Sequence, residues 1–133
     1  MNLSKLNTRI AAEKGEDLHL RHPTTGEKLY TEDGQPITIR MAGTDSSIYR
    51  NAIKDMVRQR KGVKTTTPEQ GEAFALDLLT SITLDWKNIV LSDDGEPLQF
   101  SPENARNLYA EYTWIREQAD EFAGDRANFL PKA

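Results

Sequence analysis

Two histidines and a run of acids are the residues whose types are best suited to chemistry. His19 and His22 stand three positions apart. On a helix that offset would turn both imidazoles toward one metal ion. Here the alternation of Leu18 and Leu20 with Asp17, His19 and Arg21 predicts a strand, where an odd offset sends side chains to opposite faces. The chain has no cysteine to add thiolate ligands, so surface histidines are the better reading and no metal is expected. Asp93-Asp94-Gly95-Glu96 has calcium-type oxygens but lacks the longer alternation of ligands and the distal acid of an EF-hand, and reads as a turn. Ser46 and Ser47 follow Gly43 without a nucleophile elbow, and no phosphate-cradling glycine pattern occurs. No catalytic residue and no cofactor is assigned, and an enzyme is not expected.

Surfaces are the better candidates. Arg50, Lys54, Arg58 and Lys61 recur on one side of a predicted helix and would suit phosphates. No nucleic-acid motif or aromatic stacking platform accompanies them in a chain of net charge −4, so nucleic acid is not the expected partner. A second predicted helix places Ala73, Leu76 and Leu84 on the side opposite its core face. Either that helix is buried on two sides within its own domain, or the stripe is a docking or self-association surface. Trp114 sits at the edge of a third apolar face, where a tryptophan often anchors a partner. Ala73, Leu76, Leu84 and Trp114 are therefore the candidate partner-binding residues.

The elements that position these groups follow from periodicity and punctuation. Leu3, Leu6 and Ile10 lie at near-helical spacing in a short segment stopped by Gly15, at best a marginal helix. Asp33-Gly34 is a hairpin signal, and Ile37 to Met41 alternates as a half-buried strand. A helix is predicted over 45–61, with Ile48, Tyr49, Ala52, Ile53, Met56 and Val57 inward and Gly62 as its stop. Thr67-Pro68-Glu69 announces the next helix, expected to reach about Leu84, with Phe74, Ala75, Leu78, Leu79 and Ile82 inward. Trp86 to Leu91 reads as a short strand or an extended connection. Ser101-Pro102 starts a helix to about Ala110, and another runs from about Thr113 to Arg126. Thr31 to Ile39 resembles Ser92 to Phe100, one turn chemistry used twice.

The predicted class is α+β: a small N-terminal β-hairpin or sheet followed by three to four helices, mostly helical. Residues 1–16 form a short arm or helix, 17–130 a single domain and 131–133 a tail. At 133 residues the chain can bury a core without staples. No apolar run suits a signal peptide or a membrane span, so a soluble cytoplasmic product is expected. Charge is polarised: residues 40–68 hold seven basic and two acidic side chains, residues 69–133 five basic and thirteen acidic. Such asymmetry favours self-association or charged partners.

Several blocks resemble the small tail assembly chaperones of long-tailed bacteriophages. The first is Leu20-Arg-His-Pro-Thr-Thr-Gly-Glu-Lys-Leu29, followed by Ile39-Arg-Met-Ala-Gly-Thr-Asp-Ser-Ser47 with Tyr49-Arg50. The closing blocks are Phe100-Ser-Pro-Glu-Asn-Ala-Arg106, Trp114-Ile-Arg-Glu-Gln118 and Asp125-Arg-Ala-Asn-Phe129. The resemblance implies a protein that binds the tape-measure protein during tail assembly, keeps it soluble in the host cytoplasm, self-associates and is absent from the mature virion. Many similar proteins also have a longer, frameshifted form. The family has no agreed functional residues to carry over. The alternatives are a phage or bacterial regulatory protein using the basic helix on nucleic acid, and a structural or adaptor tail component.

Overall fold

The computed structural model describes residues 1–60 and 67–132. A short 3₁₀ turn at Leu3–Leu6 precedes helix α1 (Arg9–Lys14), strands β1 (Glu16–His19) and β2 (Thr38–Met41), and helices α2 (Ser47–Gln59) and α3 (Pro68–Ser81). Strand β3 (Thr83–Lys87), helices α4 (Pro102–Glu111) and α5 (Thr113–Gly124) and a 3₁₀ turn at Arg126–Phe129 complete the order. This is the predicted α+β, mostly helical class. The expected helix stop at Gly62, and Lys61 with it, lie outside the described residues.

The sheet is antiparallel in the order β1-β2-β3. Its register puts Leu18, Ile39 and Trp86 in one row, all buried, because period-2 alternation turns these three toward the helices. Arg40, one step on, points the other way between Asp17 and Asp85, and its guanidinium lies 3.2 Å from the Asp17 carboxylate. β3 was not anticipated where it stands. The helix expected to reach Leu84 ends at Ser81, and the strand begins at Thr83, ahead of the Trp86–Leu91 segment read from sequence. The sheet therefore does not precede all the helices: its third strand is threaded between α3 and α4.

The Asp33-Gly34 turn forms, with Gly34 at φ 86° and its N–H donating to the Thr31 carbonyl. It does not join two neighbouring strands of the sheet. It lies within a long excursion between β1 and β2, held by backbone bonds from Leu20 to Ile37, Leu29 to Leu20 and Ile37 to Leu29.

Caps explain where the helices start. Ser46, fully buried, accepts from the Tyr49 N–H at 3.0 Å and donates its hydroxyl to the Gly43 carbonyl at 2.7 Å. Thr67 and Gln70 form a reciprocal capping box before α3, and Ser101 accepts from the Asn104 N–H before α4. The core joins Ile39, Met41, Leu79, Ile82, Leu108, Tyr109 and Ile115, each aliphatic contributing about 1.5–3 kcal/mol on burial. Tyr109 is wholly enclosed, its hydroxyl 2.7 Å from Thr83 Oγ1, and burial pushes its pKa up to about 12. Residues 1–16, expected as a short arm or helix, contain α1, whose Ala12 is fully buried with its carbonyl accepting from the Gly43 N–H. A Cβ at Gly43 would meet Ala12 Cβ at 2.9 Å and the Phe129 ring at 3.1 Å, so only glycine lets these backbones close.

Candidate functional site

The α3 stripe is not a free surface. Leu76 is only 7% exposed and belongs to the core cluster, with Leu79 one turn on. Ala75, expected to face inward, is exposed. The helix packs against α2, α4 and α5, so it is covered on two sides. Apolar residues nearly all round such a helix dilute the amphipathic signal, and the inward face was placed a fraction of a turn away from where it lies. Leu84 is not on the helix. It sits on β3, partly buried, and its Cδ1 would lie 2.6 Å from a Cβ at Gly15, the link from α1 to β1. Trp114 and Ala73 are partly buried, on α5 and α3, which are joined by an ion pair of 3.2 Å between Arg116 and Glu72. Ala73, Leu76 and Leu84 thus do not form one exposed stripe on α3, and Trp114 lies on α5.

The inward stripe of α2 is also narrower than expected. Ala52 and Met56 are buried, while Val57 is 62% exposed beside the solvent-facing Arg50, Lys54 and Arg58. Among the other helices α3 is its main neighbour, and one neighbour covers one narrow stripe.

The start of α2 is tied to both ends of the chain. The Glu13 carboxylate of α1 accepts from the Ser47 N–H and hydroxyl, which holds its pKa below the usual range. Asp45 takes Arg126 in a two-point grip, Nε at 2.8 Å and Nη2 at 3.0 Å, and accepts from the Thr8 hydroxyl. The Arg126 bond, then the Thr8 bond, bring the Asp45 pKa down to about 2. These residues clasp α1, α2 and the C-terminal turn together. Sequence reasoning missed them because each pair spans tens of residues.

Exposed apolar side chains lead into that clasp, Leu3 and Leu6 on the 3₁₀ turn and Ile10 on α1, with extended Asn7 between the two. Leu3, Leu6 and Ile10 are 72%, 51% and 60% exposed at offsets of three and four, with Met1 ahead of them. Their near-helical spacing in the sequence indicates no more than a marginal helix. Nothing in periodicity tells whether an apolar row faces a core or solvent.

The two similar turns do meet. Gly95, at φ 76°, repeats the Gly34 geometry, and bridges Tyr30↔Pro36 and Val90↔Pro97 close the two loops alike. Asn88, itself at φ 68°, donates from its side chain to the Pro36 carbonyl at 2.8 Å and links the loops. Trp86 Nε1 donates to the Leu98 carbonyl at 2.7 Å, and its ring meets Phe100 edge-on. Between the turns lies an open cleft of about 870 Å³ bordered by Glu32, Asp33, Asp93 and Asp94, with Tyr30 and Val90 as its apolar walls. Asp94 accepts from Ser92 and from the Glu96 N–H, in that order the causes of its lowered pKa.

The histidines have local partners. His19 Nε2 donates to the Leu29 carbonyl at 2.7 Å with its ring edge-on to Tyr30, and His22 Nδ1 accepts from the Thr24 and Thr25 N–H groups of a turn. Among the described residues no group of three or more His, Asp or Glu is arranged to hold a metal ion. No described helix is long and apolar enough to cross a membrane.

The fold is thus a small, mostly helical α+β domain. Its sequence from residue 44 to 133, covering α2 to the final 3₁₀ turn, matches the model of the YdaY prophage protein family. The chain belongs to that family and is a phage-derived protein. No curated protein and no solved structure matches it.

Proposed function

We propose that this protein is a tail assembly chaperone that binds the tape-measure protein and keeps it soluble while the tail is built. The observation that carries this reading is the exposure of three apolar side chains at the N-terminus, Leu3 and Leu6 on the 3₁₀ turn and Ile10 on α1, the helix clasped to the domain. Membership of a prophage family supports a phage-related role. The sequence blocks that resemble tail assembly chaperones favour the specific one. A tape-measure chain presents long apolar helical faces before the tail tube encloses it, and such faces aggregate. Several copies of a small protein with net charge −4 would cover them while keeping the complex dispersed. The work is stoichiometric and non-enzymatic, is done in the host cytoplasm, and leaves the protein out of the mature virion. Trp114 and Ala73, partly exposed, remain separate candidate contacts; Leu76, being buried, is not one.

Co-expression of the chain with the tape-measure protein of the same prophage tests this. A soluble complex that co-purifies supports it, and a tape-measure protein as insoluble as when expressed alone overturns it. Recovery of the chain from purified particles would favour a structural or adaptor component instead. The exposed Arg50, Lys54 and Arg58 keep a nucleic-acid regulator as the second reading, and salt-sensitive binding to duplex DNA would be its mark.

A further inference from the structure

We propose that the outward face of α2 docks into the cleft between the two similar turns of a second copy of this chain. The outward α2 face is solvent-exposed among the described residues. Arg50, Lys54, Val57 and Arg58 are all exposed along it, Arg50 interacts electrostatically with Glu13 of α1, and the one ion pair on the face among the described residues is the local, solvated contact of Arg58 with Asp55 at 3.4 Å. The cleft is its opposite in charge. Glu32, Asp33, Asp93 and Asp94 border it, all four are exposed, and none of them forms an ion pair among the described residues.

Each surface also has an apolar element to bury. Val57 stands among the α2 cations, and Tyr30 and Val90 are 55% and 41% exposed at the cleft. A cleft of about 870 Å³ has room for side chains of one helix face. A polyanion would satisfy the helix and leave the acidic cleft without a partner. A basic peptide would do the reverse. A second copy satisfies both at once, and the polarised charge of the chain gives each surface its sign. Because the two surfaces differ, the contact is head-to-tail. It closes either as a two-fold pair using it twice or as a ring. Being carried by exposed charges, it weakens as salt rises.

Sedimentation velocity on the full chain, at low and at high salt, tests the proposal through two charge-reversed variants. Lys54→Glu with Arg58→Glu reverses the helix face, and Glu32→Lys with Asp93→Lys reverses the cleft without touching Asp33 or Asp94, which serve the turns. Wild type is expected to self-associate at low salt. Each variant alone should associate about tenfold more weakly, as expected when two exposed attractions become repulsions. An equimolar mixture of the two should recover association, because each reversed surface then finds its complement. Circular dichroism checks the folds, and if a reversal perturbs one, Lys54→Gln and Glu32→Gln should each give a smaller loss in the same direction. The proposal is overturned by a wild type that is monomeric at low salt, by association unchanged in both variants, or by a mixture that recovers nothing. A monomer that binds duplex DNA through Lys54 overturns it in favour of nucleic acid.

Discussion

Leu76→Ala is expected to cost about 3 kcal/mol of folding stability. Leu76 is 7% exposed and sits in the core beside Leu79 and Ile82. Truncation removes three methylene equivalents, about 2.4 kcal/mol at ~0.8 each, and the hole left behind adds to that within the usual range of ~2–5 kcal/mol. α3 packs against α2, α4 and α5, so the site has little freedom to collapse onto the gap. For 133 residues the unfolding entropy is about 0.28 kcal/mol/K, so the melting temperature should fall by roughly 10 °C. Thermal unfolding followed by circular dichroism, with urea titration as a second measure, gives both quantities. A shift below about 2 °C would mean that Leu76 is not a core residue and would restore the docking stripe on α3.

Other outcomes follow from the same geometry. Leu6→Glu with Ile10→Glu should change stability by no more than about 0.5 kcal/mol, as exposed sites do, while tape-measure solubility in co-expression is lost. The Asp45 carboxyl titrates near 2 in the fold, so its contribution is fully present above its ordinary value of about 4 and is lost as pH falls through 2. Asp45→Asn should therefore flatten the acid limb of a stability–pH curve and leave the alkaline limb alone. Tyr109 titrates near 12, so its contribution is whole below about pH 10 and is lost as pH rises through 12. Tyr109→Phe should flatten the alkaline limb, and it leaves Thr83 bonded to the Leu79 carbonyl at 2.8 Å. Gly43→Val should unfold the chain or strip α1 from the domain, readable as faster proteolysis near residue 12.

Local signals carried far in this sequence. The Ser101-Pro102 start of α4 lies where its cap and first-turn proline put it, and the Asp33-Gly34 and Asp94-Gly95 turns formed where turn chemistry pointed. Pairing of distant segments did not show. Nothing near Thr83 announces that it leaves a helix for a strand beside β2, because Leu84, Trp86 and Ile89 suit either state. The inward face of α3 was misplaced for a related reason: with apolar residues on most sides, only its neighbours decide which one is buried. The candidate surfaces were hidden at the same level. Leu3, Leu6 and Ile10 read from sequence only as a marginal helix, and their exposure is visible only in the folded domain. The acidic cleft depends on β2 pairing with β3, Thr38 opposite Lys87, which together with the Asn88 bond to Pro36 sets side by side two loops about sixty residues apart in sequence.

The most direct test of the chaperone role is aggregation of the tape-measure protein itself. Light scattering would follow purified, denatured tape-measure protein diluted into buffer with increasing amounts of this chain. Scattering is expected to fall to baseline at several copies per tape-measure chain, with a discrete soluble complex on size exclusion, and to stay high with the Leu6→Glu, Ile10→Glu variant. Scattering unchanged by a large excess of the wild-type chain would contradict the chaperone role.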